Sequence, residues 1–258
     1  MFSEIFFWCA ILTFAMMNVL FILAILSKDN SIIDIFWGSG FIIITICALI
    51  LTSEVTLKKF LVASLVATWG LRLTLHIYLR NRGSGEDFRY KNWRNTWKNF
   101  YLRSYFQVFM LQGLIMLIIS SPVVLILSGE AQTIGFLDIL GILIFATGFL
   151  FESIGDYQLL RFRKNSANQG RLIKTGLWSY TRHPNYFGEA LLWWGIWLMA
   201  VSETDSLFTI ISPLLITFLL RYVSGVPMLE KKYEHHPEWD EYKKQVPPFI
   251  PAIGKLKL

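Results

Sequence analysis

Residues 134–163 read IGFLDILGILIFATGFLFESIGDYQLLRFR. The part from Ile134 to Leu159 is long and apolar enough to cross a bilayer, which asks roughly 20 mainly apolar residues of a helix. It runs out on Arg161 and Arg163, as a span does where it meets lipid headgroups. Apolar runs of this kind recur along the chain. They predict an all-α, polytopic membrane protein with about seven transmembrane helices, over residues 5–26, 33–52, 58–79, 104–127, 134–159, 187–202 and 206–226. Pro122 and Pro213 are expected to bend or end the fourth and seventh.

Composition agrees with that reading. Of 258 residues 54% are hydrophobic and 16% charged, where an ordinary soluble domain carries about 25% charged residues. The net charge of +6 does not point to nucleic acid, because the basic residues sit between apolar runs. Cys9 and Cys47 lie inside such runs and read as core residues, so neither a disulfide nor a metal site is expected. The segment from Phe2 to Leu26 begins with Ser3 and Glu4, has no basic leader, and reads as the first span, not a cleaved signal. There is no internal repeat or low-complexity stretch.

Orientation follows from the basic residues. Arg80, Arg82, Arg89, Lys91, Arg94, Lys98 and Arg103 separate spans three and four. Arg161, Arg163, Lys164, Arg171, Lys174 and Arg182 separate five and six. Lys28 follows span one, and Arg221, Lys231, Lys232, Lys243, Lys244, Lys255 and Lys257 follow span seven. With seven spans all of these share one side, and only Lys58 and Lys59 fall on the other. The expectation is an outside N terminus and a cytoplasmic C terminus, in a bacterial inner membrane. The tail after Pro227, with Tyr233, Trp239 and Tyr242, either folds back as a lid or is solvated.

Polar side chains within spans are costly unless paired, so each is a functional candidate. Glu152, Asp156 and Arg163 fall within roughly 40° of one another on a helix, which puts two carboxylates and a guanidinium on one face. An ion-paired stripe between helices would use the same residues. The following segment, Gly176-Leu177-Trp178-Ser179-Tyr180-Thr181-Arg182-His183-Pro184-Asn185-Tyr186-Phe187-Gly188-Glu189, is rich in donors and rings. His183-Pro184 marks a turn, Asn185 and Glu189 share a helical face, and Arg182 at a helix start suits a phosphate. An aromatic belt with basic anchors is the plainer reading. Arg72 and His76 share a face of span three, with Tyr78 and Arg80 beyond, and Asp34 opens span two. Arg72 lies deep enough to need a partner, with Asp34 or Glu152 available. Tyr90, Trp93 and Trp97 recur as in an interfacial helix.

Glu152-xxx-Asp156-Tyr157-Gln158, Thr175-Gly176-Leu177-Trp178, Arg182-His183-Pro184-Asn185-Tyr186-Phe187-Gly188-Glu189 and Trp193-Trp194-Gly195 together resemble the membrane steroid 5-alpha-reductase superfamily, most closely its bacterial branch. Asp34-xx-Trp37-Gly38, Asn81-Arg82-Gly83, Glu86-Asp87-x-Arg89-Tyr90 and Glu230-xx-Tyr233 extend the likeness over most of the chain. The resemblance implies a single integral membrane domain over 1–258, with residues 1–130 on the lipid-substrate side and 131–258 forming a cofactor-binding region whose cavity opens to the cytoplasm. It implies NADPH as hydride donor and an oxidoreductase that reduces a carbon–carbon double bond in a steroid-like or other lipid. Asp156, Arg163, Asn185 and Glu189 match its cofactor-contacting positions, as does Arg221. Glu152, Trp178, Arg182 and Tyr186 belong to the same motifs.

One departure concerns the proton donor. Eukaryotic members place a glutamine-glutamate pair in an early helix and a tyrosine in a later one. Here no such pair stands on the required side, so Asp34, His76 and Tyr78 become the catalytic candidates. Such a donor must keep its proton at working pH, which burial favours. Two rival readings use the same sequence. A membrane methyltransferase acting on isoprenylcysteine or phospholipid shares the Arg-His-Pro-x-Tyr-x-Gly segment, with S-adenosylmethionine as cofactor. A non-enzymatic polytopic protein would carry these groups as buried ion pairs.

Overall fold

The computed structural model describes residues 1–130, 133–203 and 206–252. In chain order its helices are α1 (Phe2–Ser27), α2 (Ile32–Leu51), α3 (Leu57–Asn81), α4 (Phe88–Thr96), α5 (Phe100–Ser128), α6 (Phe136–Lys164), α7 (Pro184–Ala200), α8 (Ser206–Tyr233) and α9 (Trp239–Gln245). Among the described residues there is no strand. Six of these runs, α1, α2, α3, α5, α6 and α8, are long and apolar enough to span a membrane. The chain is an integral, multi-pass membrane protein. The sixth of the seven expected spans corresponds to α7. It starts at Pro184, earlier than expected, but a turn in which Glu203 N–H bonds Ala200 C=O stops it after 17 residues. At 1.5 Å per residue that is about 25 Å, and its length lies at the short end of the roughly 17–25 residues that a spanning helix uses.

The chain divides into two compact units, residues 1–135 with 200–209 and residues 136–199 with 210–258. In the first unit, α2 and α3 cross where neither has a side chain. A Cβ on Gly38 would stand 2.4 Å from the Gly70 carbonyl oxygen, and one on Gly70 would stand 2.6 Å from that of Gly38. Such close approach is what small residues permit between membrane helices. Buried Phe41 and Trp69 meet edge to face beside this crossing. Residues 119–128 of α5 are buried on every side, with Ser120, Ser121 and Ser128 among otherwise apolar residues. Pro122 lies within that run and does not end the helix. Pro213 likewise lies inside α8, just after the 3-10 turn Ser206–Ile210.

The two ends of this unit are fastened differently. Lys58 and Lys59, the exceptions to the charge pattern, are both buried. The Lys58 ammonium donates to Glu203 at 2.8 Å and to Ser202, while Lys59 donates to Thr52 and to the Glu54 carbonyl. At the other end the turn after α1 meets the segment before α4. Lys28 takes a left-handed conformation, and Asp29 N–H returns to Ala24 C=O, a Schellman closure. Asn30 N–H then donates to Glu86, and the Ser31 hydroxyl accepts from Asp87 N–H.

In the second unit α6 and α7 run antiparallel along a ladder of glycines. A Cβ on Gly141 would stand 2.6 Å from the Gly195 carbonyl oxygen, one on Gly148 the same distance from that of Gly188, and one on Gly155 3.2 Å from Asn185 N. The spacing of seven in both helices keeps these glycines on one face. The carboxylates of α6 are thereby drawn against the start of α7. The tail after α8 is packed, not solvated. Trp239, Tyr242 and Val246 bury themselves with Leu172 in one apolar cluster. Lys255 and Lys257 lie outside the described residues.

Candidate functional site

The second unit gathers its polar groups where α6 meets the segment 176–189. The Trp178 indole N–H donates to the Gly155 carbonyl at 3.1 Å, and the Gln158 side chain accepts from Leu177 N–H at 3.0 Å. Gly176 has φ +65, and a Cβ there would fall 2.4 Å from the Gln158 amide, so this turn needs glycine. Pro184 then supplies the first helical residue of α7, a position where its missing N–H costs nothing. The Asn185 amide Nδ2 donates to Asp156 Oδ1 at 3.0 Å. An ionised carboxylate only accepts, which fixes the amide's orientation. It leaves Asn185 Oδ1 buried with no hydrogen-bond partner, an uncommon state for a buried acceptor.

Arg182 and His183 face the tail. Arg182 Nε and Nη2 donate to the two oxygens of Glu230 at 2.8 and 3.2 Å, and its Nη1 donates to the Val246 carbonyl at 2.5 Å and to that of Lys243. Its guanidinium also lies over the Trp239 ring. His183 Nε2 is 3.2 Å from Glu230 Oε1, and its ring stacks on Tyr186. Burial holds the His183 imidazole below its ordinary range, and the nearby Arg182 and Arg221 cations add to this against the pull of Glu230. Further bonds complete the fastening. Tyr242 Oη donates to the Trp178 carbonyl at 2.6 Å, Thr181 Oγ1 to that of Phe249, and Ala252 N–H to that of Tyr180.

The remaining cofactor candidates sit in graded exposure. Glu152, Asp156 and Glu189 are buried, Asn185, Tyr186 and Arg221 are half-buried, and Arg163 is exposed. The structure therefore brings Asp156, Asn185, Trp178 and the Arg182–His183 pair into one neighbourhood. Arg221 lies over the Tyr222 ring.

The catalytic candidates belong to the first unit. Asp34, in the first turn of α2, accepts from Arg89 Nη2 and, at 2.7 Å, from Tyr90 Oη. Asp87 takes the Nε of the same arginine at 2.8 Å. Burial drives the Tyr90 phenol well above its ordinary value, and the Asp34 carboxylate adds to the effect. Glu86 is held below the usual carboxylate range. Burial alone would raise it, but the Arg94 guanidinium and Asn30 N–H outweigh that. His76 is half-buried on α3, and Tyr78 is 47% exposed. Two residues apart on a helix, they point to different faces.

Two groups, Glu230 and His183, were not singled out as site residues in the sequence, whereas Tyr90, with Asp87 and Arg89, was a candidate for ligand contact. Glu230 follows Arg182 by 48 positions, and nothing in local periodicity ties it to the motif. His183 is visible in sequence only as the residue before a proline. Tyr90 stands in a quoted motif, but its bond to Asp34 spans 56 positions.

Nucleotide chemistry fits the residues present. Asn185 Oδ1 is an acceptor in need of an N–H or O–H donor, the buried carboxylates suit hydroxyl and amine donors, and Arg163 and Arg221 suit phosphate. A family model described as "Protein of unknown function (DUF1295)" matches residues 20–246. The chain is also similar to a protein of Schizosaccharomyces pombe described as "Uncharacterized protein C594.04c", with 26% identity over 274 residues, covering 94% of this chain and 78% of that one. No solved structure matches.

Proposed function

We propose, for a chain that belongs to the DUF1295 family, a membrane-bound NADPH-dependent reductase of the steroid 5-alpha-reductase type, acting on a carbon–carbon double bond in a steroid-like or other lipid. The observation that carries the proposal is the Asp156–Asn185 hydrogen bond with its buried, unpartnered Asn185 Oδ1. It stands at the start of α7, inside the motif on which the resemblance rests.

In this reading NADPH supplies the hydride. Asp156, Asn185, Glu152 and Glu189 hold its amide and hydroxyl groups, Arg163 and Arg221 take its phosphates, and the aromatic residues around Trp178 keep water away. Asp34, clamped by Arg89 and accepting from Tyr90, can only accept, which leaves His76 and Tyr78 as the candidate donors to the substrate oxygen.

A second reading, S-adenosylmethionine-dependent methyl transfer, is favoured by one feature. Arg182 directs four hydrogen bonds to Glu230, Val246 and Lys243, which removes a guanidinium that a phosphate would use. Titration calorimetry on the purified protein separates the two. NADPH binding in the micromolar range or tighter, weakened at least about tenfold in Asn185→Ala, supports the reductase. Binding of S-adenosylmethionine without NADPH replaces it by the transferase.

A further inference from the structure

Glu230 accepts from Arg182 through both oxygens and meets His183 Nε2 through Oε1. A carboxylate clamped by a guanidinium is ionised and can only accept, so the hydrogen of the imidazole must reside on Nε2. A neutral imidazole has one N–H. His183 Nδ1 is then a bare lone pair, and it is buried with no hydrogen-bond partner. Two residues on, across Pro184, the Asn185 amide is oriented by Asp156 in the same manner, and its Oδ1 is the second buried acceptor without a partner. A carboxylate thus sets each side chain as an acceptor. Glu230 does so from the tail and Asp156 from α6.

We propose that Glu230 is a positioning residue that fixes His183 Nδ1 as an acceptor two residues from the Asn185 acceptor, and that these two acceptors take the two N–H groups of a primary carboxamide, that of the nicotinamide. The inference rests on the dinucleotide reading above. A carboxamide nitrogen carries two hydrogens and no acceptor, so a pair of acceptors matches it and a pair of donors would not. The tail is then part of the binding site. It holds no ligand atom itself, and it sets the hydrogen-bonding sense of the residue that does.

The test compares NADP+ with its 3-acetylpyridine analogue, in which a methyl ketone replaces the carboxamide and both N–H groups are lost. Calorimetry on the full-length protein is expected to show the analogue binding at least about tenfold more weakly than NADP+. His183→Ala and Glu230→Ala are expected to narrow the difference between the two ligands, because one of the two acceptors is gone or its tautomer is released while Asn185 Oδ1 remains. Glu230→Gln is expected to keep the discrimination, since its amide oxygen still accepts from Nε2–H. Equal affinity of the unaltered protein for the two ligands overturns the carboxamide assignment, and unchanged discrimination in a folded Glu230→Ala overturns the positioning role. Failure of the unaltered protein to bind either ligand is a different result and removes the dinucleotide reading itself. In ¹⁵N spectra of histidine-labelled protein, Glu230→Ala should also move the His183 resonances toward a mixture of tautomers. A purely structural role for Glu230 would leave those resonances in place.

Discussion

Gly188 stands so close to Glu152 that a Cβ at position 188 would lie 2.4 Å from the Glu152 backbone nitrogen and 2.5 Å from the Gly148 carbonyl oxygen. Both atoms are main chain, so neither can turn aside. Gly188→Ala and Gly148→Ala should each cost about 2 kcal/mol or more by overpacking and weaken cofactor binding by moving Asn185 from Asp156. Thermal unfolding in detergent measures the first effect and calorimetry the second. Unchanged melting in Gly188→Ala would mean that α6 and α7 are not packed along this ladder.

The buried Lys58–Glu203 pair should be strongly coupled. Its side chains are 2% and 4% exposed, and removing one partner strands the other charge. Lys58→Met or Glu203→Leu should each cost about 3–5 kcal/mol, while the double replacement Lys58→Met with Glu203→Leu should recover most of that. A double-mutant cycle by chemical denaturation gives the coupling, and additive losses would contradict a buried pair.

Acidification should weaken the second unit through His183. Burial depresses its folded-state value below the ordinary 6.5, so the unfolded chain takes up the proton first. The stability tied to the neutral imidazole is complete above about pH 6.5 and declines as pH falls toward the folded value. The melting temperature should drop between pH 7 and pH 5, and less steeply in His183→Gln. Parallel profiles for the two proteins would rule out this source.

The tail should behave as part of the fold. Trp239 is 4% exposed, and its loss should cost about 3–5 kcal/mol. Tyr242→Phe should cost about 1 kcal/mol by leaving the Trp178 carbonyl without its donor. Limited proteolysis should spare the tail in the unaltered protein and cut it early in Trp239→Ala. Equal cutting rates would return the tail to the solvated state.

The membrane class of this fold was legible because hydrocarbon imposes one local rule, a long and mainly apolar run, and α1, α2 and α5 follow it over most of their length. The face shared by Glu152 and Asp156 was legible for a similar reason, since helical spacing is a local property. What the sequence withheld is pairing over distance. Arg182 looked like a phosphate ligand because its charge is visible and its partner, Glu230, is not marked by any spacing. Lys58 looked like a stray charge for want of Glu203, 145 positions away. Span six opens at Pro184, three residues before the expected 187, because proline suits the first position of a helix.

The most direct measurement is hydride transfer. Membranes containing the protein are supplied with a lipid extract and NADPH carrying deuterium at the transferable position, and the lipids are analysed by mass spectrometry. A reductase leaves one carbon-bound deuterium and gains one solvent proton in a lipid that has lost a double bond, and Asn185→Ala abolishes the product. Lipids that stay unlabelled, while a methyl group from labelled S-adenosylmethionine enters them, would contradict the account.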